Sequence, residues 1–204
     1  MKLNKQLTLI ATLLVAGITT PTLASADTVL APGSAWEYMI TDNSTPAPGG
    51  DPTWATHLGD GWAVGNAPFG NVDSCYGSIC DFNYATYWPV NDLAWVRKGV
   101  DFSGFDITTA AWNLGVDNGY ALYVNGSLVA ADNAEGYTYR WEYNGTFGSL
   151  LHPGTNIIAV ALEDHGGLTA FDMQITAAPV PEPETYALLL AGLGIVGFIA
   201  RRRA

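Results

Sequence analysis

Val116-Asp117-Asn118-Gly119-Tyr120-Ala121-Leu122-Tyr123-Val124-Asn125-Gly126-Ser127-Leu128-Val129-Ala130-Ala131 decides how this chain folds. Tyr120, Leu122 and Val124 fall on one face of an extended backbone, because successive side chains of a strand alternate. Asn125-Gly126 supplies the two positive φ values of a type I′ turn, so a second strand at 128–131 runs back with Val129 packed across from the first. Asp117-Asn118-Gly119 makes a tight loop ahead of this hairpin, and Gly154-Thr155-Asn156 launches a later strand.

Working outward, Trp36, Tyr38 and Ile40 alternate with Glu37, Met39 and Thr41, the period of a half-buried strand. A Pro/Gly-rich loop at 44–52 and a turn at Asp60-Gly61 follow. Residues 84–88 and 93–102 read as strands interrupted by Pro89, and 107–116 as another. Residues 137–143 alternate aromatic and polar side chains, and strands at 156–162 and 168–176 flank Gly166-Gly167. Many short strands with turns at this spacing predict an all-β sandwich or barrel. No helix is expected before the last twenty-five residues, and no internal repeat is visible.

Those last residues read Val180-Pro181-Glu182-Pro183-Glu184, an uncharged apolar run at 186–200, then Arg201-Arg202-Arg203. The order closely resembles the PEP-CTERM sorting signal of Gram-negative bacteria. The resemblance implies that exosortase recognises Pro181, Glu182 and Pro183 and processes the exported protein on its way to the cell surface or extracellular matrix. Independently of the family, the run is apolar all round and ends in a charge block, which argues against an amphipathic or core helix. It reads as a C-terminal transmembrane helix at 186–200. Its helical length of about 22 Å at ~1.5 Å per residue falls short of a ~30 Å hydrocarbon core, so spanning requires local thinning or snorkelling arginines. The arginines belong on the cytoplasmic side, which leaves the preceding chain facing the periplasm from an inner-membrane anchor until processing.

The other end agrees with export. Lys2 and Lys5 precede an apolar stretch at 7–18, and Ala24-Ser25-Ala26 is a small-residue cleavage site. Residues 1–26 therefore read as a signal peptide for signal peptidase, 27–178 as one β-sandwich domain, and 179–204 as the sorting signal. Between 27 and 185, nineteen acidic residues face only Arg97, Lys98 and Arg140, a net of −16. Such a surface excludes nucleic acid and anionic lipid as partners, since both need clustered Lys and Arg. The two cysteines, Cys75 and Cys80, are expected to form a disulfide once exported, closing a small loop.

A second resemblance covers roughly residues 34–177. Trp62-Ala63-Val64-Gly65-Asn66-Ala67-Pro68-Phe69-Gly70, then Ala94-Trp95-Val96-Arg97-Lys98-Gly99-Val100-Asp101-Phe102, then the stretch from Val116 to Gly126, then Gly154-Thr155-Asn156-Ile157-Ile158-Ala159-Val160 are similar, in order, to landmarks of the galactose-binding-like jelly roll. That module occurs alone in PEP-CTERM proteins and appended to glycoside hydrolases, sialidases and phosphoesterases. The segment 71–87, with its cysteine pair, departs from the pattern.

Candidate chemistry lies in the loops. Asp117 and Asn118, Asp132 with its neighbour Asn133, and Glu163 and Asp164 offer hard oxygens of the kind calcium takes; turn-forming Asp and Asn are the plainer reading. Seven Trp, ten Tyr and seven Phe exceed routine core filling. Trp54, Trp62, Tyr76, Tyr87, Trp88, Tyr137 and Trp141 sit in or beside loops, and Trp62, Tyr137 and Trp141 are the first candidates to stack on sugar rings. His57, His152 and His165 stand isolated, and Glu163-Asp164-His165 is the only compact titratable cluster; strand alternation sets Glu163 and His165 on one side and Asp164 on the other. No catalytic residue is assigned. Three readings follow: a non-catalytic, surface-delivered module for carbohydrate or exopolysaccharide, a structural matrix or adhesion protein without a glycan pocket, and a small hydrolase.

Overall fold

The computed structural model describes residues 25–43, 53–59, 61–71, 83–133, 141–181 and 183–203. Among the described residues, twelve strands precede one helix: β1 Asp27–Leu30, β2 Ala35–Asp42, β3 Ala63–Asn66, β4 Phe69–Gly70, β5 Thr86–Tyr87, β6 Asp92–Asp101, β7 Phe105–Asp117, β8 Gly119–Val124, β9 Ser127–Asp132, β10 Tyr143–Thr146, β11 Thr155–Glu163, β12 Ala170–Pro179 and α1 Pro183–Arg203. They form two six-stranded sheets. Sheet A runs β10-β7-β12-β4-β5, with β1 also on β12; sheet B runs β3-β2-β6-β11-β8-β9. Both are antiparallel except for the short β4–β5 pair.

The sheets close over a core that takes alternate residues from each. Leu114 and Val116 of β7 and Phe171, Met173 and Ile175 of β12 meet Val96 of β6, Leu122 and Val124 of β8 and Ile158 and Val160 of β11. Trp36 of sheet B meets Phe171 of sheet A edge-on at 5.4 Å, and Trp112 meets Tyr120 at 6.4 Å. Sheet B is also covered outside. Residues 53–59 and Trp62 lie over it, placing Trp54 and Ala55 against Leu93, Trp95 and Ala159. Burial on both faces explains why Leu93-Ala94-Trp95-Val96 is continuously apolar and does not alternate.

The hairpin forms as its residues dictate. Asn125 and Gly126 adopt φ of 49° and 80°, Tyr120, Leu122 and Val124 face the core, and Val129 packs against it. Asn125 does more than turn the chain. Its Nδ2 donates to Asn156 Oδ1 at 2.9 Å, and its Oδ1 accepts the Ile157 N–H at 2.9 Å. Asn156, fully buried, donates to His152 O and Gly154 O and accepts the His152 N–H. Replacing Asn156 with leucine orphans these buried groups, so urea denaturation should record a loss of about 2–4 kcal/mol; a loss under 1 kcal/mol would show that the network is dispensable.

Several expectations need correction. The strand expected at 84–88 shrinks to Thr86–Tyr87, because Trp88 turns inward, fully buried, and donates its indole N–H to Asp92 O at 3.0 Å. Of the alternating stretch at 137–143, residues 137–140 lie outside the described residues; Trp141 stands in a turn, and β10 runs from Tyr143 to Thr146. Strands β1, β3 and β4 are too short for periodicity to reveal.

Helix α1 contains the apolar run at 186–200, and its side chains from 187 to 202 are solvent-exposed. Arg202 lies 5.1 Å over the Phe198 ring, one turn away. Among the described residues, however, no helix is long and apolar enough to cross a membrane. The transmembrane expectation is not met by the helix alone, since its uncharged stretch reaches only about 22 Å against a ~30 Å core. Most of the signal peptide, Cys75, Cys80, Tyr76, Tyr137 and Glu182 lie outside the described residues.

Candidate functional site

At one end of sheet B, three loops that carry acidic and amide residues meet. Pairing decides this: Glu163 of β11 lies opposite Gly119 of β8, and Tyr120 lies opposite Asp132 of β9. A methyl on Gly119 would stand 3.3 Å from Asn133 Cα and Asp132 O and 3.4 Å from Glu163 Oε2, so glycine is what lets the three loops approach. Between them opens a cleft of about 280 Å³ lined by Tyr120, Ala121, Ala131, Asp132, Asn133 and Glu163. Two alanine methyls and a tyrosine supply apolar surface, while two carboxylates and an amide supply polar edges. Burial and the Asp132 charge push the Tyr120 phenol up from its ordinary pKa.

The five proposed calcium ligands divide into two sets. Asp132 and Glu163 are exposed at the cleft, and His165 Nε2 lies 3.6 Å from Glu163 Oε2. Asp117, Asn118 and Asp164 are buried where β7 of sheet A crosses into β8 of sheet B. The Asp117–Asn118 peptide there is cis. Asn118 ties the crossing down: its N–H donates to Glu163 O at 2.9 Å, and its Oδ1 accepts the His165 N–H at 2.8 Å. Asp164 Oδ2 accepts the N–H groups of Asn91 and Gly166, while Oδ1 is buried without a partner among the described residues. Burial above all, then the Asp164 and Glu142 charges, raise Asp117 to a pKa of about 7; burial likewise raises Asp164, against the pull of its two backbone donors. Among the described residues no three His, Cys, Asp or Glu side chains gather into a metal-holding group.

Of the aromatic candidates, Trp62 is half-buried with the Arg97 guanidinium 3.9 Å over its ring, and it stacks near-parallel on Trp54 at 6.3 Å. One of its faces is therefore already occupied. Trp54 and Trp88 are core residues, Trp141 is half-buried, and Tyr87 is 56% exposed. From the sequence, Arg97 carried no role beyond its charge and its place in a strand landmark. It is 0% exposed, with Nε 2.8 Å from Glu37 Oε2 and further bonds to Trp54 O and Gly59 O. The one available signal was its place inside a strand, as one of three basic residues in the exported portion.

After β12 ends at Pro179, the Val180 N–H donates to Gly104 O at 2.8 Å, and Pro183 opens α1 at a position that needs no N–H. Sandwich and tail thus part at residues 180–183. Residues 179–203 match the PEP-CTERM protein-sorting motif. This motif marks an exported protein processed by exosortase and sorted to the cell surface. No curated protein matches the chain significantly. Solved structures similar to it include a Bifidobacterium dentium beta-glucuronidase complexed with coumarin-3-O-glucuronide, 11% identical over 77% of this chain and 31% of that one, with a TM-score of 0.49. An uncultured Clostridium beta-glucuronidase gives 11% identity over 76% and 29%, with a TM-score of 0.47. A glycosyl hydrolase family 2 member from Bacteroides cellulosilyticus gives 12% over 74% and 20%, at 0.46. The chain spans less than a third of each of these enzymes.

Proposed function

We propose that this chain is a non-catalytic carbohydrate-binding module of the galactose-binding-like jelly-roll type, delivered to the cell surface through the PEP-CTERM route, with the cleft at Gly119 as its ligand site. The inner membrane would hold it through α1 until exosortase acts. The composition of the cleft carries this reading. Asp132, Asn133 and Glu163 can accept or donate hydrogen bonds to sugar hydroxyls around the apolar floor of Ala121 and Ala131, the mixture of apolar walls and a few placed polar groups that binds small polar ligands. Calcium belongs to the proposal at the buried pair: the Asp164 oxygen that has no partner among the described residues and the nearby Asp117 carboxylate suit a hard cation, with main-chain and water oxygens completing its six to eight ligands.

A glycan array on the detergent-solubilised full chain, run with calcium and with chelator, tests both parts. Binding should fall more than tenfold in the Asp132→Asn/Glu163→Gln double variant. Calcium at a hundredfold excess over its Kd should stabilise the fold by about 2.7 kcal/mol. A melting temperature indifferent to chelator removes calcium. A blank array favours a structural matrix or adhesion protein, and turnover of the arrayed glycans would make the two cleft carboxylates those of a hydrolase.

A further inference from the structure

Three stretches of the exported portion read Asn-x-Ser/Thr: Asn43-Ser44-Thr45, Asn125-Gly126-Ser127 and Asn144-Gly145-Thr146. That spacing is the acceptor signature of N-linked glycosylation, in which the amide is modified and the hydroxyl two residues on is read with it. The fold separates the three. At Asn125 both ends of the amide are occupied, Nδ2 by Asn156 and Oδ1 by the Ile157 N–H. Ser44 and Thr45 lie outside the described residues. Asn144 stands in β10, which ends sheet A and pairs, among the described residues, with β7 alone. Side chains alternate along it. Tyr143 packs toward the core, and Gly145 lies against Trp112, whose Cζ2 would stand 2.8 Å from a Cβ there. Glu142, Asn144 and Thr146 take the other side, all three exposed. Packing on Trp112 accounts for the glycine but not for its two neighbours: among the described residues neither the Asn144 amide nor the Thr146 hydroxyl forms a hydrogen bond. Glu142 supplies a further element, an acid two residues ahead of the acceptor, which bacterial oligosaccharyltransferases read. Thr41 and Tyr123 hold that place in the other two stretches.

We infer that Asn144 is an acceptor for N-linked oligosaccharide, delivered from a polyprenyl diphosphate on the periplasmic side of the membrane. The Asn144 Nδ2 attacks the anomeric carbon of the carried sugar. A C–N bond forms as the C–O bond to diphosphate breaks, the polyprenyl diphosphate leaves with the electron pair, and the proton released from Nδ2 passes to a carboxylate of the transferase. Export along the PEP-CTERM route brings the chain to the compartment where such donors are held. The product suits the fold, since the sugar stands clear of the core at the open edge of sheet A. Unpaired N–H and C=O groups of an edge strand otherwise invite pairing with another chain, and a covalent glycan covers them. The inference does not depend on the carbohydrate-binding reading above, because this sugar is attached to the protein and is no ligand of the cleft.

Peptide mass spectrometry tests it on the full chain, expressed in a bacterium that exports it and carries a periplasmic oligosaccharyltransferase with a lipid-linked oligosaccharide of known mass. The peptide spanning Glu142–Thr146 should gain that mass, and should not gain it beside an inactive transferase. The peptide carrying Asn125 should stay unmodified. Asn144→Gln and Thr146→Ala should each abolish the gain, and Glu142→Gln should remove most of it. Because Asn144 and Thr146 are exposed, their variants should melt with the unmodified wild type, so that loss of the gain is not loss of the fold. A Glu142–Thr146 peptide of unchanged mass, in exported and folded wild type, overturns the inference. So does a gain that survives intact in Thr146→Ala or Glu142→Gln, or one that falls on Asn125 as readily as on Asn144.

Discussion

Arg97→Ala is expected to lower folding stability by about 3–5 kcal/mol, the cost of breaking a buried ion pair from one side. The guanidinium is the clamp that holds residues 53–59 and Trp62 on sheet B. Its Nε binds Glu37 Oε2 at 2.8 Å, its other nitrogens bind Trp54 O and Gly59 O, and its plane covers Trp62. Glu37 grips the same segment through the Gly59 N–H at 2.9 Å. Alanine leaves the Trp54 carbonyl without its side-chain donor and the Glu37 carboxylate without its counter-charge, and exposes the outer aromatic cluster of Trp54, Trp95 and Tyr123. Lysine should rescue little, because a point charge cannot reproduce a three-way planar fork. The double variant Arg97→Met/Glu37→Gln should recover much of the loss, since it removes both charges together. Urea midpoints at pH 7 measure all three; an alanine variant within 1 kcal/mol of wild type would mean the segment holds by apolar packing alone.

Asp117→Asn is expected to stabilise the protein at pH 8 and to leave it unchanged at pH 4. The folded-state pKa of Asp117 is raised from 3.8 to about 7. A raised carboxyl contributes stability that is fully present below pH 3.8 and is lost as pH rises through about 7. The shift corresponds to at most about 4 kcal/mol, and solvent screening at the sandwich rim reduces this to about 2 kcal/mol. Asp164, raised in the same direction, adds to the decline, whereas Asp101 and Asp106 are lowered by bonds to Ser103 and Thr108 and act only in acid. Wild type should therefore lose stability between pH 4 and pH 7, and the asparagine variant should lose visibly less. Parallel pH profiles for the two proteins would show that Asp117 titrates normally.

Local chemistry made much of this protein legible before any tertiary contact was known. Asn125-Gly126 can hardly do other than turn a hairpin, Trp36-Glu37-Tyr38 alternates because one face of β2 is wet, and a charge-free run ending in three arginines announces an exported tail. These features are written in neighbours along the chain, where backbone sterics and side-chain period act without outside help. The acidic loops were legible too, as three separate loops of Asp, Asn and Glu. That they meet around Gly119, with Asp132 and Glu163 facing a cleft while Asp117 and Asp164 are buried, depended on strand register, which only the packed sheets decide. Arg97 shows the same limit more sharply. A lone cation in a strand is ordinarily solvated, and its burial required a segment some forty residues away to return over sheet B with its carbonyls aligned. Asn125-Gly126-Ser127 and Asn144-Gly145-Thr146 look alike along the chain, and only the packed sheets tell them apart, because the groups that occupy the Asn125 amide come from β11 while Asn144 stands exposed on an edge strand.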